Sequence, residues 1–376
     1  MKKTLAALAV LGAFAGSAMA ADVTLYGAVD TGFEYIHTKS TGEKGVDTFD
    51  MQTGWDTPSC WGLKGSEDLG NGYKVSFKLE SGFNSDDGTM GQSNRLFGRE
   101  AGLTLSGPFG SVAFGRFGGI SSSAGTYDML GYVESFDGGD GNVWGFASSS
   151  RYDNMVVYQT PRFAGLQLTA QYSFKTDTKE GDTVGADDKP QYNGDEGTSH
   201  AQRYASVGLS GEYGPASFAV GYELTKYGAN TNGARALDKD GQLVFVGGNY
   251  DFEVVQLFAE AQYFKHQTAI NAGDDATAEL GLGKLGLKGY GLHLGAAAPL
   301  AGGTLTAGLY YVDLSEEAVD QADEDAKYYG VSARYNYPLS ERTSLYAGAG
   351  YGQLKDDDSG NKDQLTQVYC GLVHTF

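Results

Sequence analysis

Tyr73-Lys74-Val75-Ser76-Phe77-Lys78-Leu79-Glu80 sets an apolar or aromatic side chain at every odd position and a polar or charged one at every even position. Leu166-Gln167-Leu168-Thr169-Ala170-Gln171-Tyr172-Ser173-Phe174-Lys175 repeats the alternation. Successive side chains of a β-strand point to opposite faces, so each segment has one apolar face and one wet face. A soluble sandwich produces the same pattern. Segments of about ten residues, repeated many times with aromatic ends, fit better with a barrel whose apolar face meets lipid and whose polar face lines water.

Working outward, strand and turn signals divide the chain into sixteen strands: 22–37, 51–67, 73–83, 95–106, 111–117, 151–160, 166–175, 202–212, 216–227, 242–250, 254–266, 286–297, 304–315, 327–337, 342–354 and 364–376. Short connections (67–72, 107–110, 161–165, 213–215, 251–253, 338–341) alternate with long ones (38–50, 118–150, 176–201, 228–241, 267–285, 316–326). Outer-membrane barrels carry short periplasmic turns and longer external loops, and an even strand number returns both termini to the periplasmic side. No linker or second domain is apparent. The expected fold is therefore all-β: a transmembrane antiparallel β-barrel over 21–376, preceded by a leader.

The leader is residues 1–20. Lys2 and Lys3 form a basic start, residues 5–14 an apolar core, and Ala18-Met19-Ala20 a small-residue cleavage site. No later stretch is apolar and long enough to span a bilayer as a helix. A membrane-embedded chain of this kind must close into a barrel, because hydrocarbon offers no partner to an open sheet edge. The mildly polar mean hydropathy, −0.32, agrees with strands half of whose residues face water.

The 57 glycines, 25 tyrosines and 19 phenylalanines suit tight turns and β-structure, and only 7 prolines interrupt it. The net charge is −20, two units more negative once Lys2 and Lys3 are removed, so a basic nucleic-acid footprint is absent. Acidic runs at 182–196, 313–325 and 356–358 read as solvated loop tips, or as sites of divalent-cation bridging to lipopolysaccharide or of cation attraction toward a pore. Cys60 and Cys370 fall on strands 2 and 16 with strand 1 between them. Two inter-strand spacings hold their backbones about 9–10 Å apart, and disulfides rarely span more than about 7 Å. Opposite alternation parities also separate them, so two free thiols are expected.

Little in the chain suggests catalysis. Gly281-Leu282-Gly283-Lys284-Leu285-Gly286 matches a dinucleotide fingerprint but lacks the parallel strand and helix that motif requires, and reads as a glycine-rich approach to strand 12. The histidines at 37, 200, 266, 293 and 374 show no metal-ligand spacing. No cofactor or metal is expected. The best functional candidate is 118–150, too long for a hairpin loop and seeded with Tyr127, Met129, Leu130 and Phe136. Those side chains argue that it packs against something. A sixteen-stranded lumen has room for a folded-in loop, which would narrow the pore.

A family resemblance is carried by Trp61-Gly62-Leu63-Lys64-Gly65-Ser66-Glu67-Asp68-Leu69-Gly70-Asn71-Gly72 with Leu79-Glu80-Ser81-Gly82-Phe83. Leu103-Thr104-Leu105-Ser106-Gly107, Phe109-Gly110-Ser111-Val112, Phe114-Gly115-Arg116, Leu25-Tyr26-Gly27 and the terminal Phe376 agree. The whole mature chain resembles the general diffusion porins of Gram-negative bacteria. That resemblance implies a homotrimer of sixteen-stranded barrels in the outer membrane, with the third loop folded into the lumen and the terminal Phe read by the insertion machinery. Partners would be small hydrophilic solutes and ions, with outer-membrane lipid and lipopolysaccharide outside. It also implies an acidic loop facing a basic wall: Tyr127-Asp128-Met129-Leu130 and Phe136-Asp137-Gly138-Gly139-Asp140 would supply Asp128, Glu134 and Asp140. Arg116, Arg151 and, nearer the periplasm, Lys64 would supply the basic side.

Ala28 and Cys60 stand where the family often has basic residues, which thins the ladder. Fewer cations opposite retained acid imply cation preference, with Arg99 able to restore the balance. The reading is a non-enzymatic passive channel. A substrate-selective channel, a plugged surface or adhesion barrel, and an enzymatic barrel are the alternatives.

Overall fold

The computed structural model describes residues 23–376 except 124, 137–139, 144, 180–182, 185–189, 192–193, 230–236, 271–284 and 318–323. The leader 1–20 and most of the Gly281–Gly286 motif thus lie outside the described residues. Sixteen strand positions form one closed antiparallel sheet. They are β1 Thr24–Ser40, β2 in two pieces (Val46–Thr53 and Cys60–Gly70), β3 Tyr73–Gly82, β4 Glu100–Gly107, β5 Gly110–Gly118 and β6 Arg151–Gln159. Then come β7 Leu166–Ser173, β8 Arg203–Tyr213, β9 Ala216–Lys226, β10 Gly241–Asp251, β11 Gln256–Gln267 and β12 Leu287–Leu300. The last four are β13 Gly303–Glu316, β14 Glu324–Ser340, β15 Thr343–Asp356 and β16 Lys362–Thr375. Each pairs with its sequence neighbour, and β16 pairs with β1 from Ala28↔Thr375 to Ser40↔Asp363. Phe376 exchanges backbone hydrogen bonds with Gly27 at the seam, 3.1 and 3.0 Å.

Turn chemistry sets the short rim. Gly70 pairs with Tyr73, leaving Asn71-Gly72 as a two-residue turn with φ of 54° and 79°. Two positive φ values define the turn that matches the twist of a β-hairpin, and Asn-Gly is its preferred sequence. Leu300 pairs with Gly303 in the same way around Ala301 (φ 46°) and Gly302 (φ 87°).

The alternation expected from sequence is present on the outside. On β1, Leu25, Val29, Phe33 and Tyr35 are exposed while Ala28, Asp30 and Glu34 are buried. Two bands of exposed aromatics flank this apolar belt. Tyr73, Phe109, Phe163, Tyr213, Phe252 and Tyr337 lie near the short turns, and Tyr35, Phe174, Tyr222, Tyr263, Tyr290 and Tyr329 lie toward the other rim. Such girdles mark the two interfaces of a membrane barrel. Among the described residues no helix is long and apolar enough to cross a membrane.

Three expectations change. The connection expected at 38–50 is only residues 41–45, because β1 and β2 extend past the membrane belt as a ladder from Thr31↔Thr53 to Thr38↔Val46. Strand 2 is not continuous over 51–67. It breaks at residues 54–59, where Gly54 has φ 76° and Pro58 cannot donate to a ladder. The inner face is also not uniformly polar: Phe245, Phe264, Tyr310, Val312 and Tyr328 are large and fully or almost fully buried there. Both cysteines are free. Cys60 is buried opposite Ala28, and Cys370 is exposed opposite Phe33, with β1 between them as expected.

Candidate functional site

Most of the described residues between β5 and β6, within 119–150, are buried on the face opposite the exposed apolar belt. Ile120, Met129, Leu130, Val133, Val143, Phe146 and Ala147 join one cluster with Leu243, Phe245, Phe264, Tyr310, Val312 and Tyr328 of β10–β14. Phe146 meets Tyr310 edge-on, with ring centroids 5.8 Å apart. The polar backbone of the segment is matched by strand side chains. Ser121 N donates to Glu223 (3.0 Å), Ala147 N to Gln262 (2.9 Å) and Asn142 N to Gln367 (3.0 Å). Tyr328 Oη donates to Val143 O (2.8 Å) and Asn249 Nδ2 to Tyr132 O (2.9 Å). An irregular segment can be buried only if its amides and carbonyls find such partners.

Glycines make the seat. A Cβ on Gly291 would come within 2.7 Å of the Phe146 ring, and one on Gly330 within 2.7 Å of Val143 O. A Cβ on Gly350 would meet Val143 Cγ2 at 2.5 Å.

The opposite wall, β3 to β6, is densely charged. Arg99 pairs with Glu80 (2.7 Å), and Lys78 lies 2.9 Å from Glu100 and 3.5 Å from Glu80. Arg116 pairs with Asp153 (2.6 Å), and Arg95 bridges Asp153 (3.3 Å) and Asp177 (2.5 Å). The Arg116–Asp153 contact arises at a β-bulge: pairing jumps from Gly115↔Met155 to Phe117↔Tyr152, with Asn154 at φ 50°. A bulge re-aims the side chains beside it. Thr126 of the long segment donates to Glu100 (2.7 Å), so the segment also touches this wall. A cavity of about 460 Å³ remains between the segment and β6, β9, β10 and β11, lined by Ser122, Ser149, Arg151, Tyr152, Glu223 and Thr225, among others.

The expected site residues fall as follows. Arg116 and Arg151 share the charged wall; Arg151 is half-buried with Nε unbonded. Asp128 folds back on its own segment, accepting from Ser123 N (3.0 Å) and Leu130 N (3.2 Å). Glu134 is 1% exposed. Asp140 is fully buried and bonds Tyr369 Oη and, at 3.5 Å, Arg334 Nη1, away from the Arg116 wall. Burial pushes the Asp140 carboxyl above the usual range, against the pull of Arg334 and Tyr369. Lys64 sits over the Tyr26 ring (5.0 Å), near the short-turn end and apart from the others. Asp137 lies outside the described residues.

Sequence reasoning missed Arg334, Glu223 and Asp153. Alternation was the available signal for two of them. Tyr328, Gly330, Ser332 and Arg334 share the inner face of β14, and Ala219, Gly221 and Glu223 that of β9. Nothing in the sequence announced the bulge that aims Asp153.

Comparison with known proteins agrees with this architecture. A family described as "Gram-negative porin" matches residues 6–358. The chain is 33% identical to an outer membrane porin protein of Bordetella pertussis, each chain covered in full. It is 31% identical to outer membrane porin protein 32 of Delftia acidovorans, over 99% of this chain and 95% of that one. Among solved structures, an anion-selective porin from Comamonas acidovorans superposes with a TM-score of 0.66 at 25% identity, covering 95% of this chain and 100% of that one. A closed sixteen-position barrel with a lipid belt, matched end to end by these relatives, belongs to the Gram-negative porin family and resides in the outer membrane.

Proposed function

We propose that the chain forms a water-filled channel for passive diffusion of small hydrophilic solutes and ions, narrowed by residues 119–150, with no chemistry performed. The carrying observation is the two-sided interior. One side holds the segment on an apolar seat, and the other carries Lys78, Arg95, Arg99, Arg116 and Arg151. Solutes would pass between them, where opposed charges orient dipoles and bias ion flow. Arg116 and Arg151 serve as the basic side of the constriction. Asp128 and Glu134 belong to the acidic side, and Asp140 anchors its tip. Lys64 contributes a cation at the periplasmic mouth. The belt residues Leu25, Val29, Trp61 and Leu63 meet lipid or a second barrel in a homotrimer, and the acidic external loops meet lipopolysaccharide.

We assign a cation preference. Lys78, Arg95, Arg99, Arg116 and Arg334 are each in an ion pair, so their field is largely cancelled locally. Anion preference is the second reading. It is favoured by Arg151, which among the described residues has no ion pair, and by the likeness to the anion-selective Comamonas porin. Reversal potential in a KCl gradient decides: the cation sign supports the assignment, the anion sign replaces it, and absence of any conductance from folded protein overturns the channel itself.

A further inference from the structure

The break in β2 does not bulge outward. Trp55 stacks on Tyr369 of β16, ring centroids 5.3 Å apart at 18°. Asp56 Oδ1 accepts from Asn336 Nδ2 of β14 (2.6 Å) and lies 3.3 Å from Arg334 Nε, out of hydrogen-bond alignment. Arg334 Nη1 donates to Trp55 O (2.8 Å). Around the wall, β2 and β14 are separated by β1, β16 and β15. That is four inter-strand spacings, roughly 19 Å along the sheet. A residue of β2 can reach β14 only by leaving the wall and crossing the interior.

The crossing is held at its root as well. Asp56 N and Thr57 N donate to Asp30 Oδ2 (2.8 and 2.9 Å), whose other oxygen accepts from Tyr346 Oη (2.7 Å). Asp30 is fully buried. The same Arg334 also faces the long segment, through the ion pair to Asp140 and through its guanidinium 5.1 Å above the Phe136 ring. One guanidinium therefore contacts two pieces of chain far apart in sequence, the β2 crossing and the long segment. Its planar fork of donors is suited to this, where a point charge is not.

We propose that residues 54–59 are a second constriction element and that Arg334 is the positioning residue that clamps them to the tip of the long segment, so that the clamp sets the width of the channel. This rests on the channel reading above. The extent to which Arg334 is covered supports a tight clamp: its side chain is 14% exposed and Asp140 is not exposed at all. Removing one partner of a buried pair leaves the other charge uncompensated, and that shifts such contacts by a factor on the order of a hundred or more.

The test is single-channel recording of wild type, Arg334→Ala, Arg334→Lys and Asp56→Asn, with folding checked by heat-modifiable electrophoretic mobility. For Arg334→Ala we expect frequent excursions to a wider substate, occupied roughly a hundredfold more than in wild type, and passage of solutes that wild type excludes. Arg334→Lys, which keeps the charge but reaches fewer partners, should fall between. Asp56→Asn loosens only the β2 crossing and keeps the test valid if Arg334→Ala does not fold. Wild-type conductance, noise and solute exclusion in folded Arg334→Ala, or in Asp56→Asn if that variant alone folds, overturn the clamp. So does a lysine variant that matches the alanine variant in every channel property while both merely lose thermal stability. A wild-type protein that folds but does not conduct fails the channel reading instead.

Discussion

The apolar seat of residues 119–150 makes a quantitative claim. Phe146 is fully buried, its ring edge-on to Tyr310 and above the backbone of Gly291. Its neighbour Ala147 is tied to β11 by hydrogen bonds with Gln262 of 2.9 and 3.4 Å. Phe146→Ala removes a whole ring from a site walled by strands that cannot collapse onto the void. Such truncations cost about 3–5 kcal/mol. The barrel ladders do not depend on this ring, so the loss falls on docking of the segment. At about 1.4 kcal/mol per decade, that raises the undocked population roughly a hundredfold to a few thousandfold. Hydrogen exchange should show it directly. The amides of Met129, Val133 and Ala147 should lose about two to three and a half decades of protection, while those in the middle of β11 to β14 keep theirs. Single-channel traces should gain flicker. Unchanged protection and quiet traces in the folded variant would refute the idea that apolar burial holds the segment in place.

Other expectations follow from particular contacts. Arg151→Gln should shift the reversal potential further toward cations, since Arg151 is a wall cation without an ion pair among the described residues; no shift would remove it from the permeation path. Because burial raises the Asp140 carboxyl, it gains its proton at higher pH than an ordinary aspartate. Neutral Asp140 leaves Arg334 less balanced, with Asp56 its remaining ion-pair partner. Ion preference should therefore move toward anions as pH falls, starting above the usual aspartate range, and Asp140→Asn should reduce that early step. Ala301→Asn should stabilise the barrel by about 1 kcal/mol in thermal or urea unfolding, because a left-handed backbone is costly for Ala and tolerated by Asn. In mild detergent Cys370 should react with a thiol reagent and Cys60 should not, with no mobility change on reduction.

Periodicity alone determined much of this protein. A period of two, repeated between turn signals, specifies strands, their inward and outward faces and their number, because one face must satisfy lipid and the other cannot. The Asn71-Gly72 turn, the aromatic bands and the opposite parities of Cys60 and Cys370 were all legible for that reason. The length and apolar content of 118–150 announced a segment that must pack. What it packs on was not legible. Phe245, Phe264, Tyr310 and Tyr328 sit on inward positions that a water-filled lumen would leave polar, and they become a core only once a segment distant in sequence lies over them. The charge pattern was legible by residue and not by partner. Asp140 was expected opposite Arg116, yet it binds Arg334 and Tyr369, 194 and 229 positions away respectively. The break in β2 shows the same limit. Gly54 and Pro58 mark an interruption in the sequence, but only closure of the barrel brings β14 and β16 within reach of Trp55 and Asp56. That closure converts a local irregularity into a bridge across the interior.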